Sequence, residues 1–434
     1  VHNLLNITVS RSYVPYQMLE NKQMLYEMLT QPDDFLYHIG GTQIPSLQVC
    51  FLGECLPHCR LPGKISLKSN EHACSWRAPT YDNPDTQQLF DGFQEFAVIN
   101  QTGAAALIDF FPWLRKLPDW VLPLQKRAKA LHAREKELYR KHWLNCKKAI
   151  LDGTAKPCFC VTMAKMQKEE GFSDDQAAYI SGSLLEAGSD TTSSTLYGFV
   201  QAMVLFPEVQ KRAQAEIDAI VGDQRLPTMD DEPNLQYIRG CVKESLRWMP
   251  TAILGAVPHA LTRDRDDYYM GYRIPAGAGV MNNVWAIHMD ENRYPNPRVF
   301  NPDRYKDDYQ TAYDAACNPD VSKRDHFTFG AGRRICQGIH VAERSLFLGI
   351  SRMLWAFDIS PEVDEMGNPV LPDPEKLTQG FVCMPEPFKC RITPRSEERA
   401  RIVRQEWEEA QAQWLDPDTK QWKTIPEGMA LPTM

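Results

Sequence analysis

One stretch of the chain limits its possible structure more than any other: Phe329-Gly330-Ala331-Gly332-Arg333-Arg334-Ile335-Cys336-Gln337-Gly338. A cysteine stands between glycines, with an arginine two residues before it and a phenylalanine seven before it. The spacing is F-x-x-G-x-R-x-C-x-G. Gly332 permits a tight turn, and Gly338 allows the next helix to approach closely. Cys336 falls just ahead of a helix predicted to begin near Val341, where free backbone N–H groups and the helix dipole favour an anionic sulfur. The plainer alternative is a structural cysteine in a glycine-rich turn. A dinucleotide loop does not fit, since Gly330-x-Gly332 lacks a third glycine and opens no strand–helix unit.

Around that stretch the sequence reads as a large helical protein. Its 434 residues, 43% hydrophobic and 10% aromatic, can fill a sizeable core. Residues 21–36 have helical spacing interrupted at Pro32, and a long helix covers 124–151. Ser173 and Gln176 form a capping box that opens a helix running to Phe206. Pro207 starts another, closed by Gly222, and a further helix ends before Pro250. Residues 256–261 and 268–274 are β-prone. A charged amphipathic helix over 396–414 reads as a surface appendage. The net charge of −8 gives no reason to expect a nucleic-acid partner. Twelve scattered cysteines fit cytosol-facing thiols better than a disulfide framework. No apolar run is long enough to span a bilayer.

Two further groups carry chemistry. In Ala187-Gly188-Ser189-Asp190-Thr191-Thr192 a glycine interrupts a helix, at a cost of about 1 kcal/mol relative to alanine, and leaves room for a ligand beside it. Thr191 is placed to bond a carbonyl one turn back, and Asp190 to relay protons through water. The plain alternative is a Ser/Thr-rich helix packed on its neighbours. Glu244 and Arg247 share a helix face and can pair.

Taken in order from Ala187 to Gly338, these motifs resemble the cytochrome P-450 family, most closely its fungal secondary-metabolism members, over about residues 10–394. The resemblance implies a mainly α fold with a small β-portion, and haem b held between the long helix and the Cys336 loop. Cys336 would be the iron's axial ligand, its thiolate favouring O–O cleavage, with Phe329, Gly332 and Gly338 shaping the loop. Arg334, suited to carboxylate pairing, and His259 would hold the haem propionates. Glu244, Arg247 and Arg304 would form a scaffold triad. Asp190 and Thr191 would deliver protons. Ala187, Gly188, Ala252, Val257 and Phe381 would line a pocket for a lipophilic small molecule. The implied reaction inserts one oxygen atom of O2, with electrons from NADPH through a reductase. Members of this kind sit on the cytosolic face of the endoplasmic reticulum membrane.

The chain departs from the family pattern in two places. It has no W-x-x-x-R helix and starts at Val1, so it is expected to be N-terminally truncated, with membrane contact only through the missing part. An inactive or haem-free fragment, or an O2-independent haem-thiolate isomerase or dehydratase, are the alternatives. Residues 53–74 fit no family element. Cys55, Cys59, Cys74, His58 and His72 lack the spacing of a tetrahedral zinc set, and the segment reads as a translated intron. The expected layout is a family domain over 1–394 containing that insert, then a charged helical extension over 395–434.

Overall fold

A computed structural model describes residues 5–40, 84–99, 108, 110–155, 158–255, 259–261, 264–380, 382–417 and 423. The predicted insert at 53–74 lies outside the described residues, as do Val257 and Phe381. The longer helices are α1 (Val14–Thr30), α2 (Pro84–Ile99), α3 (Pro123–Leu151), α4 (Phe159–Glu170), α5 (Asp174–Leu205), α6 (Pro207–Ile220), α7 (Gln236–Trp248), α8 (Ile339–Ala356) and α9 (Glu397–Trp414).

The strands are short. β1 (His259–Ala260) pairs with β4 (Gly279–Val280), β2 (Asp267–Tyr269) with β3 (Tyr272–Ile274), and β5 (Phe357–Val363) lies between β6 (Pro369–Val370) and β7 (Cys390–Pro394), all antiparallel. The β-prone run 268–274 is therefore a hairpin. Met270 (φ 48°) and Gly271 (φ 86°) both take the left-handed values that a two-residue turn needs.

Helix α5 organises the molecule. The Ser173 hydroxyl accepts the Gln176 N–H, and the Gln176 side chain accepts the Ser173 N–H, which closes off the first turn. Pro207 starts α6 where α5 ends. The second half of α5 lies in a core with α6, α7 and α8, around Phe199, Met203, Leu246, Phe347 and Trp355. Its first half joins α3 and α4 in a second core around Tyr139, Trp143 and Phe159. Two glycines allow close crossings. A Cβ at Gly182 would sit 2.5 Å from the Tyr139 ring, and one at Gly240 would sit 2.7 Å from the Pro302 carbonyl oxygen. Real Cβ atoms do not approach that closely, so these positions demand glycine for packing.

Two expectations change here. Helix α8 starts at Ile339, because Gly338 caps it. The helix taken as an appendage, α9, packs onto the body instead. It buries Ala400, Ile402, Val403, Trp407 and Ala410, and its Trp407 ring lies 6.3 Å from Tyr26 of α1. Buried Arg399 pairs with Asp218 at 2.7 Å. The dense charge on the outer side of α9 hides this apolar stripe from a sequence reading.

Candidate functional site

The Cys336 loop is built by backbone geometry. Gly330 (φ 74°) and Gly332 (φ 66°) occupy left-handed conformations that a β-carbon disfavours. The Gly330 N–H donates to the Phe327 carbonyl, and the Cys336 N–H donates to the Phe329 carbonyl, each at 2.9 Å. The ring of Phe329 packs half-buried against the core below.

Cys336 is crowded by protein yet keeps an open surface. Burial pushes the thiol up, and the Gly338 N–H pulls the other way. Protein surroundings alone therefore do not favour the anion. The helix start that was expected to do so contributes one opposing hydrogen bond. A cation against the sulfur would reverse the balance. A Cβ at Gly332 would meet nothing within 4 Å, and one at Gly338 would meet only the Cys336 Sγ at 3.9 Å. Arg334 is exposed at the loop's edge, and His259 is exposed on β1.

The middle of α5 shows a similar opening. After a buried Leu185, Ala187 is exposed, and Gly188, Asp190 and Thr191 are partly so. The Thr191 hydroxyl donates to the Ala187 carbonyl at 2.9 Å, and Ser189 and Thr195 make the same one-turn-back bonds. These bonds compete with the helix ladder and soften it here. Burial pushes Asp190 up to about 6.

One turn further on, Thr195 meets Thr251 hydroxyl to hydroxyl at 2.9 Å, and the Thr251 carbonyl accepts the Cys383 N–H at 2.8 Å. Thus α5, the turn bearing Ala252 and the segment after Gly380 are tied together. A Cβ at Gly380 would lie 3.6 Å from Ala97 of α2, so the end of α2 also reaches this corner. Ala97 was not among the sequence candidates, and nothing in its local pattern marks it.

Behind the loop, Glu244 and Arg247 are fully buried and paired through two hydrogen bonds of 2.7 Å. Glu244 also accepts from the Asn301 N–H at 2.9 Å, the Tyr305 hydroxyl at 3.2 Å and Arg304 Nε at 3.3 Å. Arg247 donates to the His288 and Pro297 carbonyls. His288, overlooked in the sequence, links this network to the loop. Its Nδ1 lies 2.9 Å from the Arg247 carbonyl, and its Nε2 accepts the Phe327 N–H at 2.8 Å. That arrangement requires the neutral Nδ1–H tautomer, and burial holds its pKa well below the usual histidine range. Thr328 adds a second tie, donating to the Leu246 carbonyl at 2.6 Å. A lone histidine carries no sequence signal for such a bridge.

A sequence profile described as Cytochrome P450 matches residues 73–392. The cytochrome P450 monooxygenase virE of Hypocrea virens is 49% identical over 99% of this chain and 73% of its own length. The monooxygenases fogE of Aspergillus ruber and fsoB of Humicola fuscoatra are each 48% identical, over 99% and 100% of this chain and 74% and 75% of their own lengths. A zebra fish cytochrome P450 structure with progesterone superposes with a TM-score of 0.63 at 23% identity, covering 91% of this chain and 82% of its own.

Proposed function

Because this chain belongs to the cytochrome P450 family and is a haem-thiolate monooxygenase of the fungal secondary-metabolism type, we propose that Cys336 is the axial ligand and that the α5 opening holds the substrate. The observation that carries the assignment is the exposed Cys336 thiol, held at the end of a loop shaped by the positive-φ Gly330 and Gly332 and by the bond from Cys336 N–H to the Phe329 carbonyl. The donor set fits a flat, dianionic macrocycle. A single thiol sits on a loop whose glycines add no bulk, and Arg334 and His259 are exposed to receive carboxylates. Haem, when bound, supplies the reducible iron at which dioxygen is activated for insertion into a C–H bond.

The chain's own residues have separable tasks. The Cys336 backbone and the Gly338 N–H fix the sulfur. Buried Glu244 and Arg247, with partly buried Arg304 and with His288 as the connecting ring, hold the loop in place. Ala187 and Gly188 leave room against α5, and Ala252 adds apolar surface beside them, so a lipophilic small molecule is the substrate class. Asp190 holds a proton at its carboxyl, and Thr191 passes it on. Electrons come from NADPH through a reductase. No helix among the described residues is long and apolar enough to cross a membrane. The cytosolic side of the endoplasmic reticulum membrane is the proposed location.

Two tests follow. Thr191→Ala is expected to keep haem binding while lowering the product formed per NADPH about 10-fold or more, the scale of a lost proton-transfer group. Equal coupling in the variant would remove Thr191 from the relay. Residues 53–74 are proposed to be intron-encoded, so transcript reads should skip them. Spliced reads running through the segment would end that reading.

A further inference from the structure

A small cleft lies between α2, α3 and α5, lined by Gln88, Gly92, Arg134, Glu135, Tyr139 and Glu186 among others. It has room for little more than a water molecule, so it cannot take an organic ligand. Its floor is unusual. Tyr139 is 5% exposed, and both its hydroxyl and the buried Oε1 of Glu186 have no hydrogen-bond partner. The phenol and the carboxyl face one another closely enough for each to act on the other's protonation. Two such groups beside one water-sized space are best satisfied by water.

The packing holds this floor in place. Gly182 lets the Tyr139 ring lie against the backbone of α5, and a Cβ at Gly92 would come within 3.6 Å of Glu135 Oε1. At the mouth, Glu135 is half-buried and Arg134 is exposed. Glu186 lies four residues before Asp190 on α5, so the two share a face about 6 Å apart along the axis.

We propose that protons enter the reaction site through a port formed by Glu135, Tyr139 and Glu186, which feeds Asp190. The inference rests on the monooxygenase reading above. Each turnover converts R–H, O2, two electrons and two protons into R–OH and water, so protons must be supplied from outside. In the relay, the cleft water gives a proton to the Glu186 carboxylate as one O–H bond breaks and another forms, and is itself refilled from solvent past Glu135. Glu186 then passes its proton on to the Asp190 carboxylate, one turn along α5. No electrons move in these steps. Glu186 acts through Asp190 and is a positioning residue for the proton.

The electrostatics support the geometry. Burial pushes Glu186 up to about 7, beside an Asp190 at about 6, so both change protonation near neutral pH. The charged and titratable groups facing the port are Glu95 from α2, Arg134, Glu135 and Tyr139 from α3, and Tyr179 and Glu186 from α5. Arg134 is bound to Glu95, and the Tyr179 hydroxyl lies 2.7 Å from His132 Nδ1.

The test uses the haem-loaded protein with a NADPH-dependent reductase, following NADPH oxidation in H2O and D2O across neutral pH. Glu186→Gln is expected to slow oxidation about 10-fold, remove the inflection near pH 7 and enlarge the solvent isotope effect, while Glu186→Asp restores much of the rate and the inflection. By infrared titration, a carboxyl signal with its midpoint near pH 7 should vanish in Glu186→Gln. An unchanged rate, pH profile and isotope effect in Glu186→Gln, with the thiolate spectrum intact, would overturn the port alone. A wild-type protein without that spectrum would overturn the monooxygenase reading, and the port with it.

Discussion

Replacing Cys336 with alanine is expected to abolish both the thiolate-type spectrum of the reduced, CO-bound form and all oxygen insertion, while leaving the fold standing. The structure separates these two consequences. The loop is held by the backbone bond from Cys336 N–H to the Phe329 carbonyl and by the positive-φ glycines, and alanine keeps all of these. The sulfur itself has an open surface and one weak local partner, the Gly338 N–H. Removing it costs the protein little packing, but it takes away the group that would donate charge to the iron. Cys317 is the control, because it is exposed on a separate short helix. Cys317→Ala should keep the spectrum and turnover. A thiolate spectrum surviving in Cys336→Ala would mean that another cysteine binds the iron.

The second large effect concerns stability. Glu244→Ala is expected to destabilise the protein by about 3–5 kcal/mol, because it leaves a buried guanidinium without its counter-charge. That is a large share of the roughly 5–15 kcal/mol that holds a typical domain together. Arg247 is fully buried and would keep only two carbonyl acceptors, those of His288 and Pro297. Asn301, Arg304 and Tyr305 would lose their shared acceptor at the same time. Since the His288 ring joins Arg247 to Phe327, the damage should reach the cysteine loop and weaken haem retention. A double variant with leucine at 244 and methionine at 247 should recover part of the loss, because it removes both charges. Urea midpoints and haem content measure the effect. A Glu244→Ala protein within about 1 kcal/mol of wild type, the range of an exposed ion pair, would refute the loop-bracing role.

What the sequence made legible follows from how local each signal is. The glycines around Cys336 announce a backbone conformation that few other residues accept, so the loop could be read from its letters. The capping box at Ser173 and Pro207 likewise fixed both ends of α5 to within a residue. The start of α8 was read two residues late, because Gly338 caps without a side chain to signal it. Three features stayed hidden, and each depends on residues far apart in sequence. The buried stripe of α9 is masked by its charged outer side. His288 becomes a bridge only because α7 ends beside it. Glu186 acquires its character from burial against a neighbouring helix, to which the charge of Glu135 adds.

The central claim is that this chain folds around haem with Cys336 on the iron. The most direct measurement is the difference spectrum of the reduced, CO-bound protein. The account predicts the red-shifted band of thiolate ligation. A spectrum lacking that band, from protein that is folded and loaded with haem, would contradict it.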